Sequence, residues 1–228
     1  MKKIQVLGVE LEDYTVREAM RKIDEYWRNG RMNTIGFVTT KGIMEANELP
    51  QVKEWMQSLD MTVPMDADIL HAAGIDSAGR CREVEENVFI KEFLRRTVRY
   101  RKSVFLLTET TEQMGVLTGE LMEYQEHLKI VGTYVLEELK ADEGYIVNEI
   151  NIASPDILIS QLATPHREEF YEHSRMKLNT VIWLILKEGV HFGKKKRCLR
   201  SILYEYITKK VFRIRVEKEK KETEETDE

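Results

Sequence analysis

Two aspartates, Asp66 and Asp68, stand one residue apart directly after a short apolar run at residues 61–64. The run predicts a short strand, so both acids follow the carboxyl end of a strand, where open α/β sheets bind ligands. A carboxylate within hydrogen-bond reach of a substrate hydroxyl can remove its proton as a general base. The alternative is structural, because an acid here also supports the first turn of a helix beginning near Ile69.

Polar residues follow two further predicted strands. Thr39 ends the strand predicted at residues 34–39, and it either binds a substrate hydroxyl or caps the next helix. Thr164 follows the buried apolar run at residues 157–159 and is the predicted cap of another helix.

The helix predicted after Thr164 has Pro165 at its first position and Glu168 as the partner in a capping box. His166 and Arg167 lie at the same helix start. They either contact a phosphate group or belong to a solvated helix face.

No set of residues has the spacing of metal ligands. His191 is not linked by such a spacing to the other histidines, and Cys81 and Cys198 lie far apart. We therefore expect no metal and no other cofactor.

The chain becomes basic and amphipathic after Gly193. Residues 194–216 form a predicted appendage in which apolar residues recur at helical spacing among lysines and arginines. The appendage either lies on an anionic membrane surface or packs its apolar face on the preceding domain. Residues 217–228 are almost entirely charged and are predicted to be a disordered tail.

Strand and helix patterns alternate through residues 1–193. Thr15 and Glu18 predict a capping box at the first helix. The polar, glycine-containing residues 75–86 predict a loop or lid. The fold class predicted is α/β, a Rossmann-like, doubly wound and mostly parallel sheet with helices on both faces, plus the basic C-terminal helical appendage.

Bulk composition restricts the class of protein. The 228 residues are 42% hydrophobic and 33% charged, with a formal net charge of −5. These values predict a globular protein and argue against a dedicated nucleic-acid partner. The N-terminus is a poor signal peptide and no apolar run is long enough to span a membrane, so we expect a cytoplasmic protein.

Several segments together resemble the WecG/TagA/CpsF glycosyltransferases, over about residues 3–215. The segments are KIQVLGVELEDYTVREAMRKI, KSVFLL, LKIVGTY and INIASPDILISQLATPHREE. The resemblance implies a bacterial enzyme that transfers N-acetylmannosamine or a related sugar from a UDP-sugar to a polyprenyl-diphosphate-linked acceptor, without a metal. It also implies association between copies of the chain.

The resemblance suggests roles for individual residues. Asp66 is the expected general base, with Asp68 second. Substrate binding is expected of Thr39, Thr164, Arg167 and His191, and the acceptor's diphosphate is expected at Lys209, Arg213 and Arg215. With the appendage on the membrane, the enzyme would work at the inner face in cell-wall or surface polysaccharide synthesis.

Some family motifs are altered in this chain. Residues 64–66 read Pro-Met-Asp where the family has Pro-Asp-Gly, and Thr108-Glu109 replaces glycines. Close approach of a diphosphate to the backbone favours glycine at such turns. The rival hypothesis is therefore a non-catalytic homologue that binds a partner or a sugar nucleotide and regulates or scaffolds polysaccharide assembly.

Overall fold

The computed structural model describes residues 2–138, 143–187 and 199–226. The strands in these ranges are β1 (Lys2–Val6), β2 (Val9–Asp13), β3 (Asn33–Val38), β4 (Met61–Pro64), β5 (Ser103–Thr108), β6 (Lys129–Val135), β7 (Ile157–Leu162) and β8 (Ile182–Lys187).

The helices in the same ranges are α1 (Val16–Tyr26), α2 (Thr40–Glu48), α3 (Pro50–Gln57), α4 (Ala67–Ala72), α5 (Ala78–Glu85), α6 (Val88–Arg99), α7 (Thr111–Tyr124), α8 (Glu143–Ala153), α9 (His166–Ser174) and α10 (Leu199–Thr226). A 3-10 turn at Leu136–Glu138 follows β6.

Strands β3 to β8 form one sheet in the order β4-β3-β8-β7-β5-β6, and every described pair in it is parallel. Strands β1 and β2 form a separate antiparallel hairpin. The parallel α/β prediction is confirmed. Because parallel strands share one direction, the residues that follow β3, β4, β5 and β7 all lie at the same edge of the sheet.

Helices cover both faces of the sheet. One apolar cluster joins α1, α6 and α7 to one face, and the other joins α2, α3, α8, α9, α10 and the hairpin to the opposite face. This two-sided burial explains the continuous apolar runs of the strands. Within the second cluster the buried Trp183 donates its indole N–H to Ser160 Oγ at 2.8 Å.

Capping follows local sequence at the first helix. The Thr15 hydroxyl accepts the Glu18 N–H, and the Glu18 carboxylate accepts the Thr15 N–H, as the sequence predicts. Thr110 and Gln113 form a second capping box at the start of α7.

The amino edge of the sheet is held by Asp156. Its carboxylate accepts hydrogen bonds from the Ser103 N–H at 2.8 Å and the Ser103 hydroxyl at 2.9 Å, and it pairs with Lys102 at 2.9 Å. Burial would raise the pKa of Asp156, but these hydrogen bonds and the Lys102 charge hold the pKa below its ordinary value. Asp156 therefore ties β5 to β7 at the edge opposite the candidate site.

The prediction of a loop or lid at residues 75–86 is wrong, because α5 occupies residues 78–85. The helix has little amphipathic pattern, and tertiary contacts stabilise it instead. Buried Arg80 donates to Asp13 Oδ1 at 2.9 Å, and Cys81 and Val84 pack with Leu70.

Within the charged segment that follows residue 216, α10 continues to Thr226. Lys218 pairs with Glu222 one turn away at 3.5 Å, which supports a charged helix. The Glu219 carboxylate also accepts the Leu7 N–H at 3.1 Å, so this part of α10 contacts the β1–β2 turn.

A pair of Gly→Ala variants tests the packing of β6. A Cβ at Gly132 would lie 2.5 Å from Phe105 Cε2, and the buried Phe105 ring has little room to move. Gly132→Ala should lower the free energy of unfolding by about 1–3 kcal/mol. Gly115→Ala, in open space on α7, should raise it by up to about 1 kcal/mol. Urea denaturation measures both, and equal values for the two variants would contradict the packing described.

Candidate functional site

Asp66 lies at the carboxyl edge of the sheet, two residues after β4. Its backbone occupies the N-cap position of α4, but its carboxylate makes no capping hydrogen bond. Asp66 Oδ2 instead accepts the Thr40 N–H at 2.8 Å, at the start of α2. Asp66 therefore joins the turn after β4 to the turn after β3, rather than supporting its own helix.

Asp68 lies in the first turn of α4 and its side chain is only 8% exposed. Arg213 Nε donates to Asp68 Oδ1 at 2.6 Å. Lys209 Nζ lies 3.4 Å from Asp66 Oδ1 and 4.0 Å from Asp68 Oδ2. We call these four residues, Asp66, Asp68, Lys209 and Arg213, the four-charge cluster.

The four-charge cluster combines a partly exposed carboxylate with a partly exposed cation. The side chain of Asp66 is 15% exposed, and its Oδ1 is not the oxygen that the Thr40 N–H holds. A partly exposed carboxylate can accept a proton from a substrate hydroxyl. Arg213 is 67% exposed, so part of its guanidinium remains accessible to an anion while it pairs with Asp68.

Helix α10 brings the two cations to the acids. Phe212 and Val216 are buried against the domain, and α10 packs on α2 and α4. Arg215, also expected to bind substrate, pairs with the exposed Glu48 on α2 at 2.7 Å. One apolar face of the appendage thus packs on the domain. Such packing was one of the two alternatives that the sequence offered, the other being a position on the membrane surface.

The other face of α10 carries a separate apolar stripe. Tyr204, Ile207, Val211 and Ile214 are all exposed and follow the three- and four-residue spacing of one helix face. We call these residues the exposed stripe. Lys41 Nζ, from the first turn of α2, lies 6.0 Å from the centre of the Tyr204 ring.

Thr39 caps α2, because its hydroxyl accepts the Gly42 N–H at 3.0 Å. This is the local role that the sequence offered as one alternative. Thr39 also immediately precedes Thr40, whose N–H donates to Asp66 Oδ2.

Thr164 does not cap α9, contrary to the sequence prediction. The N-cap residue is Pro165, after a cis Thr164–Pro165 peptide bond, and it makes no side-chain cap. The Thr164 hydroxyl instead donates to Glu168 Oε1 at 3.3 Å and accepts from Arg167 at 3.1 Å. The capping box fails because α9 begins one residue later than the pattern predicts.

Arg167 is buried, with 3% of its side chain exposed. Its guanidinium pairs with Glu168 and lies 4.1 Å from the centre of the Trp55 ring. Among the described residues, no contact joins it to the four-charge cluster. Glu168 Oε2 is buried without a hydrogen-bond partner in the same region.

Glu109 and His166 form an interaction that the sequence reasoning missed. Glu109 Oε1 accepts the Ala163 N–H at 2.8 Å and lies 3.1 Å from His166 Nδ1. The replacement of glycine by Thr108-Glu109 marked this turn as unusual. Its contact with residues 54 or more positions away had no local signal.

His191, which is expected to bind substrate, lies outside the described residues. So do the basic residues 194–197 at the start of the predicted appendage. Within 2–138, 143–187 and 199–226, no group of three or more His, Cys, Asp and Glu side chains could hold a metal ion.

In the part of the chain that the structure describes, no helix combines the length and the apolar character that a bilayer span requires.

The contribution of Arg213 to the docking of α10 can be measured against Arg215. Arg213→Ala removes the closest cation from the buried Asp68 and should lower the free energy of unfolding by about 1–2 kcal/mol. Arg215→Ala removes an exposed pair and should change it by less than about 0.5 kcal/mol. Urea denaturation, with amide hydrogen exchange of α10, makes the comparison. Indistinguishable variants would mean that the Arg213 pair does not hold α10.

Comparison with known proteins adds a family match. The model of the family described as "Glycosyl transferase WecG/TagA/CpsF family" matches residues 4–197. A search of curated proteins finds no significant match. The matched range contains both aspartates and every strand of the sheet, and it ends before α10.

Proposed function

Because the chain belongs to the WecG/TagA/CpsF family of glycosyl transferases, we propose that it transfers an N-acetylhexosamine from a UDP-sugar to a polyprenyl-diphosphate-linked acceptor. The observation that carries the proposal is the four-charge cluster, in which a held carboxylate and two cations meet at the ligand edge of the sheet. The reaction would serve cell-wall or surface polysaccharide synthesis.

Asp66 is the proposed general base. The Thr40 N–H fixes Oδ2, and Oδ1, which lies 3.4 Å from Lys209 Nζ, is the oxygen proposed to take the acceptor's proton. The acceptor hydroxyl gives its proton to Asp66 while its oxygen attacks the anomeric carbon of the donor. The bond from that carbon to the UDP oxygen breaks, and UDP leaves with the electron pair. The anomeric configuration is inverted, and Asp68 acts by holding Arg213.

The cations of α10 are proposed to bind the acceptor's diphosphate. Arg213 presents an accessible guanidinium and Lys209 lies between the two acids, so a bound diphosphate can share both charges. Arg215 extends the basic surface along the same helix. This assignment requires no metal, in keeping with the expected metal-independent transfer.

The remaining substrate contacts are proposed at Thr39, Thr164, Arg167 and His191. Thr39 is assigned to an acceptor hydroxyl beside Asp66. Thr164 is assigned to the turn after β7, and the buried Arg167 is proposed to act through its hydrogen bond to the Thr164 hydroxyl. His191 is assigned to the donor, as the family resemblance implies.

Membrane docking through the exposed stripe is part of the proposal. An apolar helix face next to lysines and arginines is suited to the boundary between lipid headgroups and acyl chains. Since Phe212 and Val216 face the domain, Ile207, Val211 and Ile214 of the stripe lie on the outward side of α10. The protein would act at the inner face of the membrane, where the lipid-linked acceptor is anchored. Association between copies of the chain remains an expectation.

A non-catalytic role is the second candidate, and Glu109 favours it. Its carboxylate accepts the Ala163 N–H, a backbone group that could otherwise bind a phosphate of the UDP-sugar. In that case the protein would bind a partner or a sugar nucleotide and regulate polysaccharide assembly without transferring sugar.

Asp66→Asn distinguishes the two candidates. The amide cannot take the proton, so turnover should fall at least about 100-fold while binding of UDP-sugar is retained. Sugar transfer to a lipid-linked acceptor in vesicles gives the rate, and calorimetry gives the binding. Asp76→Asn, the same change at an exposed acid, should keep the wild-type rate. A cellular effect that survives Asp66→Asn would favour the non-catalytic role.

The exposed stripe can be tested by flotation with vesicles containing phosphatidylglycerol. The double variant Ile207→Gln, Ile214→Gln should bind at least about tenfold more weakly, because two apolar side chains no longer enter the membrane. Ile152→Gln, at an exposed isoleucine on α8, is the control and should bind like wild type. Equal recovery of the double variant and wild type in the lipid fraction would refute docking through this stripe.

A further inference from the structure

The connections after β5 and β7 diverge, which makes a topological switch point between these neighbouring strands. Helix α7 leads from β5 outward to β6, whereas α9 leads from β7 in the opposite direction to β8. Such a divergence opens a crevice at the carboxyl edge. Free backbone N–H groups at the helix starts of the crevice ordinarily attract phosphate.

Here a carboxylate of the chain already binds a backbone N–H in the turn between β7 and α9. Glu109 Oε1 accepts the Ala163 N–H at 2.8 Å and lies 3.1 Å from His166 Nδ1. The Glu109 backbone is also held, because its N–H donates to Gln113 Oε1 and its carbonyl accepts the Glu137 N–H. These two backbone hydrogen bonds therefore restrain the position from which the Glu109 side chain extends.

A second carboxylate occupies the neighbouring helix start. Glu137 Oε1 accepts the Thr111 N–H at 2.7 Å, in the first turn of α7. Glu137 and Glu109 are themselves joined by a backbone hydrogen bond of 3.0 Å. Two backbone donors that face the crevice are thus bound to anions that the protein supplies.

Charge is distributed unequally along the sheet edge. At the switch point, Glu109 and Glu137 hold backbone N–H groups and Glu169 lies in the first turn of α9, where Glu168 is paired with the buried Arg167. The β3–β4 end carries acids as well, but there α10 adds Lys209 and Arg213. A phosphate group meets repulsion at the first place and cations at the second.

We propose that Glu109 is a specificity-determining residue that excludes phosphate groups from the switch point. The crevice is left to an uncharged part of the substrate, and the phosphates of donor and acceptor are directed to the β3–β4 end. The inference rests on the proposed function for the identity of the substrates. The exclusion of phosphate itself is a property of the chain that can be measured without turnover.

The test uses inorganic pyrophosphate and the full chain. Glu109→Ala removes the carboxylate and releases the Ala163 N–H, so calorimetry should give at least about tenfold tighter pyrophosphate binding than wild type. In NMR spectra the Ala163 amide should shift on titration in the variant and not in wild type. Glu112→Ala, an exposed acid in the first turn of α7, removes the same charge and should leave both results unchanged.

Glu109→Gln guards against misfolding of the alanine variant. The amide oxygen can still accept the Ala163 N–H, so only the charge is lost and a smaller gain in pyrophosphate affinity is expected. If neither Glu109 variant, shown to be folded by circular dichroism, binds pyrophosphate more tightly than Glu112→Ala, the inference is overturned. If the Glu109 variants bind pyrophosphate more tightly and shift the Ala163 amide, but the protein transfers no sugar, the inference stands and the proposed catalysis is refuted.

Discussion

The nearly complete burial of Asp68 is the constraint on which the candidate site depends. A carboxylate removed from water needs a charged or hydrogen-bonding partner. Arg213 supplies it at 2.6 Å from a helix 145 residues further along the chain. This requirement draws α10 onto the edge of the sheet, and with it come Lys209 and the contact to Asp66.

The same docking fixes what α10 presents to the outside. With Phe212 and Val216 turned inward, helical spacing places Ile207, Val211 and Ile214 outward. One helix thus connects the acids of the sheet edge to an exposed apolar surface. In the proposed function, a membrane-anchored acceptor reaches the acids along the side of the protein that carries the lysines and arginines.

The sequence predicted those features that local interactions determine. The strand at residues 61–64 and the Thr15–Glu18 capping box match the structure because strand composition and capping act over a few residues. The sequence predicts Asp66 and Asp68 as candidate site residues because both follow that strand. The helix α5 was missed because its stability comes from Arg80 and Asp13, 67 residues apart.

Glu109 shows why the altered motif could not be interpreted from sequence alone. From the sequence of the turn alone, a glutamate in place of glycine indicates that a contact with a diphosphate has been lost. In the fold, its carboxylate accepts the N–H of Ala163, so the same substitution places a side chain of the protein on a backbone donor that we propose is closed to phosphate. The cations of α10 lie near the other end of the edge. The departure from the family pattern is then consistent with a relocated phosphate, and the absence of the glycines alone does not argue for a protein that has lost its chemistry.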